Sequence, residues 1–156
     1  FVSLKIKVMK PFLLIFAIFP FFQGKSPVSW SSTSQKLTNS EFNLVFTAAI
    51  EDGWNIYSQY LESEDGPVKT SFNFDDKNNV QLIGKNVESG DIKKAKDEMF
   101  DMEVIKIKHK GVFTQKVKVK DISKPITGTI EYMCCNDMQC LPPKSVPFSI
   151  SLATAQ

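Results

Sequence analysis

The 156-residue chain has the size of one ordinary domain, with or without a targeting segment. Its 42% of apolar residues can bury a core, which excludes a disordered chain. All 19 basic residues are lysine, and the formal charge is only +2. Because arginine is the residue best suited to bidentate contacts with phosphate and guanine, this composition argues against a nucleic-acid-binding protein. A Ser-His-Asp triad or a histidine-based zinc site would depend entirely on the single histidine, His109.

The first 24 residues differ from the rest in composition. Lys10 precedes a short run, residues 11–22, that is almost purely apolar, and small and polar residues follow it. This order is typical of a secretory signal. The run is shorter than the about 20 residues of a membrane-spanning helix, and a short membrane anchor or a buried helix is the alternative. We therefore expect residues 1–24 to be upstream residues plus a signal segment, and residues 25–156 to be an exported domain.

The remaining chain is predicted to form short strands. Apolar and polar side chains alternate over residues 42–50 and again over 68–74, which is typical of half-buried strands. Further strands are predicted at residues 54–57, 80–83, 104–108, 112–119, 127–135 and 148–152. Residues 85–101 look polar and irregular, with at most a helical turn at 91–99. Strands about ten residues apart, separated by turn residues, predict an all-β fold, an immunoglobulin-like antiparallel β-sandwich.

The three cysteines are the most informative residues for function. Cys135 and Cys140 enclose four residues, unlike the Cys-x-x-Cys of thioredoxin, which opens a helix. Two prolines, Pro142 and Pro143, follow shortly after Cys140. Because proline cannot donate to a sheet, this segment is expected at an edge or on a loop, where a partner protein could reach it.

Three disulfide pairings are possible. A bridge between the neighbours Cys134 and Cys135 would be strained, and adjacent side chains of a strand point to opposite faces. We favour Cys135–Cys140 with Cys134 as a buried free thiol, and Cys134–Cys140 is the alternative. So small a loop should stabilise the fold by less than the about 3 kcal/mol estimated for a loop of about 15 residues. An exchangeable redox pair is therefore as good an interpretation as a structural bridge.

The cysteine segment and the elements around it resemble the N-terminal periplasmic domain of the thiol:disulfide interchange protein DsbD. The resemblance covers roughly residues 28–153, and its specific motif is Cys135-x4-Cys140-Leu-Pro-Pro. Supporting segments are Asp52-Gly-Trp-Asn-Ile-Tyr57, Gly66-Pro67, Asp97-Glu-Met-Phe-Asp-Met-Glu103 and Gly128-Thr-Ile-Glu-Tyr132. The resemblance implies an immunoglobulin-like sandwich that carries a reversible disulfide, with no cofactor.

The resemblance also implies a periplasmic component of a protein-disulfide reductase. Electrons would come from a DsbD-type membrane domain and pass to thioredoxin-fold proteins, namely disulfide isomerases and the reductants of cytochrome c maturation. Cys140 would be the attacking sulfur and Cys135 the resolving one. Three features depart from the family. Cys134 gives a second spacing to Cys140 that some members use, and the extra cysteine is itself unusual. No membrane electron channel and no thioredoxin-like C-terminal domain are expected with the domain, whose sequence ends at Gln156. The chain is expected to be a monomeric fragment, or a stand-alone domain served by separate partners.

In that family a mobile cap loop shields the cysteine pair until a partner docks. By position the cap corresponds to residues 97–103, with Phe100 as the shielding ring. Tyr57 is expected to help exclude water from the pair, with the two prolines beside it. The cap residues are Asp97, Glu98, Met99, Phe100 and Asp101.

Two functions of other classes compete with thiol exchange. The first is an exported Cu(I) carrier, because thioether and thiolate ligands select Cu(I). Its candidate thioethers are Met99, Met102, Met133 and Met138. The second is a non-catalytic sandwich with a structural disulfide. Exchange predicts a readily reducible bridge and no metal, a scaffold predicts a resistant bridge, and a copper carrier predicts a free dithiol that binds metal.

Overall fold

A computed structural model describes residues 25–63 and 65–152. The predicted signal segment, residues 1–24, lies outside these ranges. In the described part of the chain the regular structure is entirely β-strand, and no helix there could cross a membrane. The strands are β1 Val28–Lys36, β2 Glu41–Ile50, β3 Asn55–Tyr57, β4 Ser71–Phe74, β5 Val80–Asp97, β6 Met102–Val119, β7 Ile126–Tyr132, β8 Cys134–Cys135 and β9 Lys144–Ile150.

The strands form two antiparallel sheets. The larger sheet has the order β1-β2-β6-β3-β8, with β5 on the opposite side of β6, and the smaller has the order β4-β7-β9. Aromatic rings fill the space between the sheets: Phe46 of β2 packs on Phe72 of β4 and Phe148 of β9. Such ring pairs contribute beyond their buried area. The architecture is the immunoglobulin-like sandwich expected from the sequence, and the prediction of the fold is confirmed.

The alternation seen in the sequence becomes an alternation in burial. In β2 every second side chain faces the core, and all of these are buried: Phe42, Leu44, Phe46, Ala48 and Ile50. β7 and the second half of β6 follow the same pattern. Because successive side chains of a strand point to opposite faces, the period of two fixes which face of each strand meets the other sheet.

A long hairpin of β5 and β6 is the main difference from the sequence-based prediction. β5 continues to Asp97 and β6 begins at Met102, so residues 85–97 are strand rather than irregular, and residues 91–99 form no helical turn. The prediction was wrong because most side chains of β5 after residue 87 are exposed on both faces. No apolar alternation can mark such a strand. The hairpin tip, residues 98–101, comes to lie at the predicted cap.

The two strands predicted at residues 104–108 and 112–119 are one strand, β6, with a bulge between them. The pairing shifts there, between the Gly90–Gly111 and Asp91–Lys108 pairs. Gly90 has a φ of +114°, and a Cβ atom at this position would lie 2.2 Å from the carbonyl oxygen of Lys110. Glycine is therefore required where the two strands approach most closely.

The predicted strand 127–135 is two strands that belong to different sheets. β7 ends at Tyr132 in the smaller sheet, Met133 connects the two, and β8 lies in the larger sheet. β8 pairs with β3, with Cys135 opposite Asn55. This change of sheet brings the cysteines to the edge of the larger sheet, beside the strand that carries Tyr57.

Candidate functional site

A disulfide joins Cys135 to Cys140, with 4.1 Å between their Cα atoms. A tight turn separates them: the Asn136 amide donates to the Gln139 carbonyl at 2.9 Å. The Asn136 side-chain oxygen also accepts hydrogen bonds from the amides of Met138 and Gln139, at 2.9 and 2.8 Å. Asparagine closes turns in this way because its short side chain mimics the backbone. The turn brings Cys140 back antiparallel to Cys135.

The three cysteines lie in different surroundings. Cys134 is a free thiol, buried in the main core between the sheets, whereas Cys135 is buried on the opposite face of the same strand. Cys140 is half-buried and is the more accessible half of the bridge. Burial raises the pKa of Cys134 to about 11, so this thiol stays protonated and unreactive at neutral pH.

Cys135 belongs to a second, smaller hydrophobic cluster, in which Tyr57 and Val104 are also buried. Partly buried side chains complete this cluster: Leu61, Phe100, Met102, Met133 and Cys140. The cluster keeps water from the Cys135 side of the bridge. An approaching thiol therefore meets the bridge from the Cys140 side.

The hairpin tip covers Cys140. The Sδ atom of Met99 lies 3.3 Å from the Sγ atom of Cys140, and Met99 is itself 46% exposed. Phe100 was expected to be the shielding ring. It packs edge-on against Tyr57, with 6.2 Å between the ring centroids. The contact with the Cys140 sulfur is thus made by a thioether, and Phe100 anchors the tip in the small cluster.

Asp97, the last residue of β5, holds the tip in place. It is buried, and its Oδ1 atom accepts hydrogen bonds from the amides of Met99 and Phe100, at 2.9 and 3.4 Å. Its Oδ2 atom accepts one from the Tyr57 hydroxyl at 2.9 Å and lies 3.0 Å from the Lys106 ammonium. Burial works to raise the pKa of Asp97, but the hydrogen bonds from Lys106 and Tyr57 lower it below its ordinary value. Burial raises the pKa of Tyr57, so its hydroxyl remains a donor.

Lys106 is a residue of this site that the sequence analysis missed. It pairs with Tyr57 across β6 and β3, and its side chain is only 18% exposed. In the sequence it belongs to an ordinary alternation of apolar residues and lysines, which is typical of a solvated face. Only the hairpin, which was not predicted, brings Asp97 to Lys106.

The two acidic residues of the tip itself face solvent. Glu98 and Asp101 are exposed, and Asp101 has a left-handed φ of 49° at the turn. Its carboxylate pairs with Lys96 at 2.7 Å. A cavity of about 210 Å³ lies beside the tip and is lined by Lys96, Asp97, Glu98, Met99, Lys106, Asn136 and Asp137.

The two predicted prolines lie on the other side of Cys140. Pro142 and Pro143 are exposed, and together with Trp54 and Leu141 they line a groove of about 440 Å³. The Leu141 amide donates to the Cys134 carbonyl at 2.9 Å, and the prolines that follow have no amide to continue such pairing. Pro142 and Pro143 therefore interrupt the backbone pairing next to Cys140.

The other candidate ligands do not share one location. Met102 and Met133 pack in the small cluster, whereas Met138 is 89% exposed. His109 lies at the β6 bulge with its Nδ1 atom 2.5 Å from Asp91. Within the described ranges, no three His, Cys, Asp or Glu side chains converge on one point.

Comparisons with known proteins identify the family. The family model described as "Thiol:disulfide interchange protein DsbD, N-terminal" matches residues 28–151. Comparison with curated proteins gave no match. Among solved structures, the chain is similar to the DsbD N-terminal domain of Neisseria meningitidis in the reduced form, with 21% identity over 73% of this chain and 78% of that one, at a TM-score of 0.52.

A second similar structure is the N-terminal periplasmic domain of ScsB from Proteus mirabilis. The identity is 15%, the TM-score is 0.57, and the match covers 80% of this chain but 45% of that one. At such identities the two structures show a shared fold. The family match extends over nearly all described residues, and the chain therefore belongs to the family of DsbD N-terminal domains.

Proposed function

We propose that the domain exchanges thiols and disulfides with other proteins through Cys140 and Cys135. Its family supports this chemistry. The observation that carries the proposal is the asymmetry of the bridge, with Cys135 buried and Cys140 half-buried at a sheet edge under the hairpin tip. A thiolate from another protein can reach the sulfur of Cys140 but not that of Cys135. Cys140 is therefore the sulfur that forms the mixed disulfide.

In the reduced domain, the Cys140 thiolate attacks one sulfur of a partner disulfide. A mixed disulfide forms, and the partner's other sulfur leaves as a thiolate. Cys135, once deprotonated, then attacks the Cys140 sulfur, which reforms the internal bridge and releases the partner's second thiolate. Two electrons have passed to the partner, which takes up two protons. The short loop keeps Cys135 beside Cys140, so the second step is intramolecular and fast.

The hairpin tip acts as the cover of this site. Met99 occupies the approach to the Cys140 sulfur, and Asp97 fixes the backbone of Met99 by accepting its amide hydrogen. A partner must displace the tip before the sulfurs can meet. This cover limits reaction with small thiols and oxidants while leaving the site available to a protein that binds around it.

We propose thioredoxin-fold proteins outside the cytoplasm as the electron acceptors, including disulfide isomerases and reductants of cytochrome c maturation. A DsbD-type membrane domain would supply the electrons. The working unit is residues 25–156, exported to the periplasm after a signal segment. The family and the periplasmic ScsB domain with a similar fold support this assignment.

Trapping of the mixed disulfide tests the proposal. Cys135→Ser should accumulate a covalent complex between Cys140 and a thioredoxin-fold protein that carries an oxidised pair, visible on a non-reducing gel and by mass spectrometry. Cys140→Ser should give no complex and no electron transfer. Cys134→Ala is the matched control and should behave like the wild type. Full transfer activity in Cys140→Ser would overturn the proposal.

A further inference from the structure

Three sulfur atoms lie together under the hairpin tip: the thioether of Met99 and the two sulfurs of the Cys135–Cys140 bridge. The Sδ atom of Met99 lies 3.3 Å from the Sγ atom of Cys140, which is bonded to Cys135. Reduction turns the bridge into two thiols and leaves the thioether beside them. Sulfur ligands lie about 2.3 Å from a bound metal, so three of them around one ion stand within about 4 Å of each other. The pair formed by Met99 and Cys140 already meets this spacing.

We propose that the reduced domain binds one Cu(I) ion through Cys135, Cys140 and Met99. Thiolate and thioether are soft ligands, and they select Cu(I) over harder cations. Binding replaces the two thiol protons, which pass to solvent, and the copper keeps its oxidation state. The proposal does not depend on exchange with other proteins, because the site needs only the dithiol and the thioether of Met99.

The surroundings favour a cation at this point. Asp97 holds the backbone of Met99 above Cys140, so the thioether is positioned before the ion arrives. The lining of the adjoining cavity contains three acidic residues and two lysines, so its net charge is negative. The cavity offers an ion a route from solvent to Met99. Met99 is 46% exposed and can therefore take up an ion from outside. On the other side, the buried Tyr57 and its neighbours keep water from the Cys135 sulfur.

Competition for Cu(I) with a chromophoric chelator, on the reduced protein without oxygen, tests the site. The wild type should bind one ion per chain. Residues that merely support a ligand change metal affinity about 10- to 100-fold, so Met99→Leu, which removes a ligand, should weaken binding at least about tenfold. Met138→Leu is the matched control: it removes the thioether of the adjacent turn, which is 89% exposed, and should leave the affinity unchanged.

X-ray absorption at the copper edge supplies a second readout. The wild type should show three sulfur neighbours and Met99→Leu two. Equal affinities of the wild type and Met99→Leu, or two sulfur neighbours in both, would overturn the three-sulfur site. Loss of binding in Cys134→Ala with retention in Met99→Leu would also overturn it, because the buried thiol would then be a ligand. The mixed-disulfide experiment is unaffected by either result, so failure of the copper site and failure of exchange are distinguishable.

Discussion

The hydroxyl of Tyr57 donates a hydrogen bond to the carboxylate of Asp97 at 2.9 Å, and both groups are buried. Tyr57 lies on β3, next to the strand that carries the cysteines, whereas Asp97 ends β5. Together with the packing of Phe100 on Tyr57, this contact ties the hairpin tip to the cluster around Cys135. Loss of either contact should loosen the cover over the disulfide.

Removal of the Met99 side chain should uncover the bridge. Met99→Ala deletes the group that contacts Cys140. If this contact stabilises the closed tip by about 1 kcal/mol, its loss should speed reduction by dithiothreitol about fivefold. The rate is measured by mass spectrometry after quenching. Met138→Ala is the control and should reduce at the wild-type rate. An unchanged rate in Met99→Ala would show that the thioether does not limit access.

Neutralising Asp97 should loosen the tip and destabilise the fold. Asp97→Asn removes the partner of Lys106, whose side chain is only 18% exposed. Leaving a buried polar group without its partner costs about 1–3 kcal/mol, and urea unfolding of the oxidised protein should show a loss in this range. The matched control is Asp101→Asn, which breaks an exposed ion pair and should cost about 0–1 kcal/mol. Equal losses in the two variants would contradict a structural role for Asp97.

The same carboxylate predicts a dependence of stability on pH. The pKa of Asp97 is lower in the folded protein than its ordinary value of 3.8. Its contribution to stability is therefore fully present above that ordinary value and is lost as the pH falls through the lowered folded-state value. The difference in unfolding free energy between the wild type and Asp97→Asn should be constant from pH 5 to 7 and should shrink below about pH 4. A difference that grows on acidification would contradict this sign.

Cys134 should be dispensable for exchange and resistant to chemistry. It is buried in the main core, and its pKa is raised to about 11. In the oxidised protein at pH 8, iodoacetamide should label Cys134 no faster than the protein unfolds. Cys134→Ala should destabilise the fold by about 1 kcal/mol, because it leaves a small cavity, and should retain electron transfer. Rapid labelling of the folded protein would contradict the burial of this thiol.

The sequence carried enough information for the core of the fold but not for the hairpin. The strict alternation in residues 42–50 predicts β2 because one face of that strand is buried against the other sheet. β5 could not be predicted in the same way, since its second half is exposed on both faces and no periodicity distinguishes it from a loop. The split of residues 127–135 between two sheets was also hidden, because both halves are extended and only Met133 separates them.

For the site, the spacing of the cysteines could be interpreted from the sequence, whereas contacts between residues far apart in the chain could not. The short spacing and the opposite orientation of the neighbours Cys134 and Cys135 favoured the Cys135–Cys140 pairing that the structure shows. The contact of Met99 with Cys140 and the approach of Lys106 to Asp97 depend on where the hairpin tip lies in space. Phe100 was expected to shield the bridge because the resemblance to the DsbD family placed it in the cap. Only the structure distinguishes Met99 from its neighbour Phe100.

The reduction potential of the Cys135–Cys140 bridge tests the central claim most directly. The oxidised protein is equilibrated with a graded series of glutathione or dithiothreitol ratios, and the bonded pair is identified by peptide mapping at each step. Exchange predicts a Cys135–Cys140 bridge with a potential above about −300 mV, since structural disulfides lie below this value. A bridge below about −300 mV would contradict exchange and identify a structural disulfide.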